Sequence, residues 1–176
     1  MKPNKIKICG ITDLSIANFC IDNNADYLGF VSYEHSPRNI SLHDSKDIIS
    51  KLTKPTSTVA VTVNANINDI MEIEDSGFNY IQLHGSEDLS YVDAIKKSTQ
   101  LKIIKAFGIS TQADFDSIND YADLCDYFLL DAKPEKTEMP GGNAKKFDWN
   151  LLSSQNLKKE FFLSGGLDID NLEIAL

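Results

Sequence analysis

Seven short runs dense in apolar and β-branched residues punctuate the chain: "KIKIC", "YLGFV", "TVAVTV", "YIQLH", "KIIKAF", "DYFLLD" and "EFFLSG". The segments between them change period. After Thr12 and Asp13, a pair suited to starting a helix, "TDLSIANFCIDNN" puts Leu14, Ala17, Phe19, Cys20 and Ile21 at roughly helical spacing. "NINDIMEIEDSG" offers Ile67, Ile70 and Met71 ahead of a stopping Gly77, and "DLSYVDAIKKS" sets Leu89, Val92 and Ile95 three apart. Most strand starts lie 22 to 30 residues apart, so strand and helix alternate about seven times. The pattern predicts a βα series with parallel strands.

Two architectures satisfy such a series, an open doubly wound sheet and a (β/α)8 TIM barrel. Parity within the strands separates them. Lys5, Lys7 and Cys9 share one face of the first strand, opposite Ile6 and Ile8. Gln82 and His84 oppose Ile81 and Leu83, and Tyr127, Leu129 and Asp131 oppose Phe128 and Leu130. Strands covered by helices on both faces read as continuous apolar runs. Polar residues confined to one parity instead point to a barrel interior that opens onto a site, and the α/β barrel is the expected fold.

Composition narrows the partners. The 176 residues form a single expected domain, 1–176, long enough for a full core. A formal net charge of -9 argues against nucleic acid or an anionic membrane surface, both of which need a basic footprint. A small phosphorylated molecule stays compatible, because backbone N–H groups at a loop or helix start hold phosphate without net positive charge. Three cysteines with no C-x-x-C pair suit a reducing, cytoplasmic setting, and neither a zinc site nor a disulfide framework. The start "MKPNKIKICG" has no apolar stretch of signal-peptide type.

In a βα barrel the chemistry sits at the C-terminal ends of the strands. Those ends carry Cys9, His84, Asp131 and the Ser164-Gly165-Gly166 turn, with Arg38 in the loop after the second strand. Cys9 on inward parity reads equally as a packing cysteine or a working thiol. Asp131 reads as a loop charge or as a carboxyl desolvated by Phe128, Leu129 and Leu130, suited to donating a proton near neutral pH. Arg38 has the planar fork for a carboxylate, His84 is a rim histidine, and "SGGLD" is a plausible phosphate cradle. The longest stretch without an element assignment runs from Asp131 to Trp149, a binding loop or a flexible segment.

Taken together, "KICGIT", "GFVSYEHSPR", "YIQLHG", "LLDA", "GGNAKKFDW" and "FFLSGGLDIDNL" resemble the phosphoribosylanthranilate isomerase family of tryptophan biosynthesis, in family order and nearly throughout the chain from Lys5 onward. The resemblance implies a cytoplasmic barrel enzyme without metal or cofactor, carrying out an Amadori rearrangement. It implies Asp131 as general acid and Cys9 as general base, with Lys7 on the same strand face to favour the thiolate. Arg38 is then expected to hold the substrate carboxylate, and His84, Ser164, Gly165 and Gly166 to contribute to substrate binding. Nothing in the motifs sets an oligomeric state.

The chain departs from the family in three places. Gly141-Gly142-Asn143-Ala144 stands where the family reads Gly-Gly-Thr/Ser-Gly, and Thr62 replaces an aromatic. The residues stop at "NLEIAL", inside the expected seventh helix, so the barrel is expected to be C-terminally incomplete, lacking its eighth βα unit. With the first and seventh strands left unpaired, these residues alone are expected to be inactive. Two rivals share the motifs in part. A histidine-pathway aminoaldose isomerase uses two aspartates where this chain has Cys9 and Asp131. A truncated, non-catalytic barrel serving as a binding module is the other.

Overall fold

The computed structural model describes residues 4–133 and 146–175. Seven strands form one parallel sheet: β1 (Lys7–Cys9), β2 (Tyr27–Val31), β3 (Ser57–Thr62), β4 (Tyr80–Leu83), β5 (Lys102–Ile109), β6 (Tyr127–Ala132) and β7 (Phe161–Leu163). Their order in the sheet is their order in the chain. A doubly wound sheet reverses its order at a switch point, and this one never does. With right-handed crossovers throughout, the connecting segments fall on one face, and the other face curves around an interior. Seven units of a (β/α)8 barrel are therefore in place. Among the described residues, β1 pairs only with β2 and β7 only with β6.

Buried side chains divide by parity, as the alternation predicted. Leu28, Phe30, Ala60, Ile81, Leu83, Ile103, Phe128 and Leu130 point outward into the larger core beneath the helices. Tyr27, Val31, Val59, Val61, Tyr80, Ile104, Ala106 and Leu129 fill the interior, with Cys9, Tyr127 and Phe162 packed against them. Thr62 lies on the helix side of β3, fully buried, so its replacement of an aromatic does not reach the interior.

Four helices, α1 (Leu14–Asp22), α2 (Leu42–Ser50), α3 (Ile67–Asp75) and α4 (Leu89–Ser98), start where a short polar side chain caps the free N–H groups. Asp13, Ser41, Asn66 and Asp88 fill that role. A short α5 (Leu172–Ala175) ends the described chain. The expected alternation fails between β5 and β6, where two 3-10 turns, Gln112–Phe115 and Ile118–Tyr121, replace a helix. Asp114 caps the first of these turns by accepting from the Ser110 and Thr111 N–H groups, which precede it. Phe115 and Ile118 still reach the outer core.

Exposed apolar side chains gather in the first and last units. Ile6, Ile8, Ile16 and Phe19 belong to the first, and Phe161, Leu167, Ile169, Leu172 and Ile174 to the last. No helix among the described residues is long and apolar enough to cross a membrane.

Candidate active site

β1 and β2 build one side of the site through a missing side chain. Cys9 pairs with Gly29 across the ladder. A Cβ on Gly29 would lie 3.0 Å from Cys9 Sγ and 3.1 Å from Lys7 Nζ. Glycine there leaves the space that the thiol and the ammonium both border, so thiol and ammonium flank a single point on the inner face.

The chain leaves β1 through Gly10, whose φ of +91° is a glycine conformation. Gly10 and Ile11 both donate their N–H groups to Gly29 O, fixing this turn on β2. The Arg38 side chain lies directly over Gly10, and its Nη1 donates to Cys9 O at 3.2 Å. Its loop is folded back on β2: Tyr33 N–H donates to Asn39 Oδ1, and Ile40 N–H to Val31 O. Arg38 is exposed at the rim, yet its guanidinium is anchored beside the thiol.

β4 and β6 build the opposite side. Asp131 sits opposite Gly108 in the ladder, on the inner parity of Tyr127 and Leu129, and only 8% of its surface is accessible. Of the neighbours expected to desolvate it, Leu129 lines the interior, while Phe128 and Leu130 belong to the outer core. Oδ1 of Asp131 accepts from the Ala132 N–H at 2.8 Å, and Oδ2 faces His84 Nε2 at 3.5 Å. The far ring nitrogen, Nδ1, lies 2.6 Å from Gln82 Nε2. The His84 ring is thus occupied by two protein neighbours.

A buried ion pair holds the turn after His84. Lys105 Nζ meets Glu87 Oε2 at 3.1 Å and also donates to Gly85 O and Ala106 O. The Glu87 carboxylate in turn accepts from the Gly85 and Asn64 N–H groups. A charged residue within "KIIKAF" was the available signal for this clamp, but its partner lies 18 residues away and on another element.

After β7, Ser164 N–H donates to Leu130 O. Gly165 and Gly166 follow with φ of +85° and +62°, and Asn171 Nδ2 clasps Gly166 O. The Gly165 and Gly166 N–H groups donate no hydrogen bond among the described residues. The Gly141-Gly142-Asn143-Ala144 segment lies outside the described residues.

Chemically, the rim offers a thiol beside a cation, a carboxyl largely withdrawn from water, an arginine fork and a glycine turn. Cys125, in contrast, is packed in the outer core, where burial pushes its thiol up to about 12, a structural cysteine. Among the described residues no group of three or more His, Cys, Asp or Glu side chains is arranged to hold a metal ion.

Comparison with known proteins places this geometry. An N-(5'-phosphoribosyl)anthranilate isomerase from Brucella canis is 38% identical over 173 residues, covering 97% of this chain and 78% of the relative. The crystal structure of phosphoribosyl anthranilate isomerase from Thermotoga maritima superposes with a TM-score of 0.87 at 33% identity, covering 98% of this chain and 82% of that one. A phosphoribosyl anthranilate isomerase in complex with reduced 1-(o-carboxyphenylamino)-1-deoxyribulose 5-phosphate gives 0.83 at 31% identity, covering 98% and 81%. Residues 6–176 match the family described as N-(5'phosphoribosyl)anthranilate (PRA) isomerase, and to that family this chain belongs.

Proposed function

We propose that this chain isomerises N-(5'-phosphoribosyl)anthranilate to 1-(2-carboxyphenylamino)-1-deoxyribulose 5-phosphate in the cytoplasm, with Cys9 and Asp131 as its two proton carriers. The observation that carries this reading is their placement: both leave the inner face at strand C-termini, one beside Lys7 and Arg38, the other withdrawn from water beside His84. The reaction needs such a pair, since one group must give a proton to oxygen and another must take one from carbon.

Asp131 gives its proton to the furanose ring oxygen. The C1′–O bond breaks as the nitrogen lone pair forms a protonated Schiff base. The Cys9 thiolate then takes the C2′ proton, and the released electron pair moves to the iminium nitrogen. The resulting enolamine tautomerises to the ketone, so atoms and electrons are conserved. The thiolate is the form that can act as a base in this step, and the Lys7 ammonium stands on the same strand face, bordering the same space over Gly29. Arg38 holds the anthranilate carboxylate through N–H groups other than the one spent on Cys9 O. Gly165 and Gly166 bind the phosphate through backbone N–H groups at the turn before α5, and Ser164, whose N–H is spent on Leu130 O, contributes its hydroxyl.

In a complete enzyme, with its barrel closed by an eighth βα unit, Cys9→Ser and Asp131→Asn should each lower kcat by at least ~100-fold with the far-UV circular dichroism unchanged. Turnover at the wild-type rate in both variants would remove the proposed proton carriers.

A further inference from the structure

His84 was expected to bind substrate, yet its ring is taken up by Gln82 on one side and Asp131 on the other. We propose that Gln82 and His84 form a positioning pair that holds a neutral imidazole with its Nε2–H toward Asp131, supporting the carboxylate that forms when Asp131 gives up its proton. The inference rests on the acid role of Asp131 given above.

The argument begins with an orphaned atom. Gln82 is 2% exposed, and among the described residues its buried Oε1 has no hydrogen-bond partner. Its amide has two orientations against the His84 ring, and the hydrogen-bond network chooses between them. With Nε2 toward the ring, as found, one acceptor oxygen is left unsatisfied. The reverse would strand an amide NH₂ with its donors, the rarer and costlier condition for buried groups. Nε2 therefore donates to Nδ1, which must carry a lone pair. A neutral ring then keeps its proton on Nε2, the nitrogen facing Asp131 Oδ2.

The ring has little freedom to turn away. Gln82 and His84 share the inner parity of β4, and the His84 N–H donates to Thr62 O at 2.8 Å. The next residue, Gly85, is gripped through both its N–H and its carbonyl by Glu87 and Lys105. The imidazole is thus presented by a rigid frame rather than by a loose loop.

Its use follows from what happens at Asp131. After proton donation the carboxylate is an anion in a largely dry site, with the Ala132 N–H on Oδ1. The His84 Nε2–H is the donor placed for Oδ2. At 3.5 Å the contact exceeds a good hydrogen bond, so it contributes little to the resting enzyme. It strengthens as charge develops, which is the property that lowers a barrier rather than tightens substrate binding. Gln82 does not touch the reacting atoms and acts through the tautomer of His84.

The test is ¹⁵N NMR of the His84 ring in the purified protein, alongside steady-state kinetics. Wild type should show the Nε2–H tautomer. Gln82→Glu, nearly isosteric, supplies an acceptor to Nδ1 and should convert the ring to the Nδ1–H form, leaving Nε2 without a proton to offer Asp131. Its kcat should fall at least about 10-fold while KM stays near wild type, a smaller loss than removing the acid itself. His84→Gln, which can return an amide N–H toward Asp131, should keep more kcat than His84→Ala. A wild-type ring protonated at Nδ1, or a Gln82→Glu protein with unaltered tautomer and kcat, would overturn the pair. Full turnover by Asp131→Asn would instead overturn the acid assignment, whatever the tautomer.

Discussion

On β4 and β6 the two ends of the barrel interior are built along the same strand on the same parity, four residues apart, Tyr80 below His84 and Tyr127 below Asp131, and they do opposite things. At the lower end Tyr27, Tyr80, Tyr127 and Phe162 pack together, Tyr27 edge to face with Tyr80 and Phe162 and Tyr127 tilted against both, with ring centroids 5.2 to 6.3 Å apart. At the upper end β1 finishes in Cys9, β4 leads to His84, and β6 carries Asp131. Burial, then the neighbouring Tyr127 and Tyr80, pushes the Tyr27 hydroxyl upward, so it stays neutral, a packing group. Stability and chemistry are separated along each strand rather than between strands. A strand that begins in an aromatic and ends in a titratable group can keep its floor fixed while its rim reacts.

The comparison breaks most visibly at the floor. Tyr80→Ala should cost about 3–5 kcal/mol of unfolding free energy, read as a lower denaturant midpoint, while the folded fraction keeps its turnover. A stable Tyr80→Ala protein with impaired turnover would place chemistry at the floor. Rim substitutions should do the reverse, with the large losses of kcat expected at Cys9 and Asp131 and little change in midpoint.

Gly29 tests the boundary between the two ends, because its missing side chain makes room for both Lys7 and Cys9. Gly29→Ala brings a Cβ within 3.2 Å of the Cys9 backbone as well as its sulfur. The thiol must shift by a few tenths of an ångström, and kcat should fall roughly 10-fold, since small misplacements at a reacting centre are expensive. An unchanged rate would show that thiol position is not limiting. Arg38→Lys keeps charge but loses the planar fork, so KM should rise about 10-fold with kcat little changed. An unaltered KM would mean that the substrate carboxylate is held elsewhere.

The sequence showed much of this molecule, for identifiable reasons. Strand alternation is a local property of the pleat, so the inward parity of Cys9, Gln82, His84 and Asp131 could be read from spacing alone. Helices α1, α3 and α4 were readable from the helical spacing of their apolar residues. What could not be read depends on register between strands. Gly29 in "YLGFV" looks like any strand glycine until β1 pairs with it and sets Cys9 at its face. Lys105 looks misplaced in an apolar run until Glu87 reaches it from the β4–α4 turn. The contacts of His84 could not be read, because its neighbours across the interior, above all Asp131 on β6, are remote in the chain. The two short 3-10 turns between β5 and β6 depart from the general strand–helix alternation read from the sequence, which spacing alone did not reveal.

The central claim is a division of labour, with Asp131 opening the ring and Cys9 removing the C2′ proton. Deuterium at C2′ of the substrate ribose separates the two steps most directly. In Cys9→Ser, proton removal becomes the slow step, and the account predicts a large normal isotope effect on kcat. In Asp131→Asn, ring opening becomes slow, and the isotope effect should fall toward unity. The opposite pattern, a suppressed effect in Cys9→Ser and a large one in Asp131→Asn, would contradict the assignment of both residues.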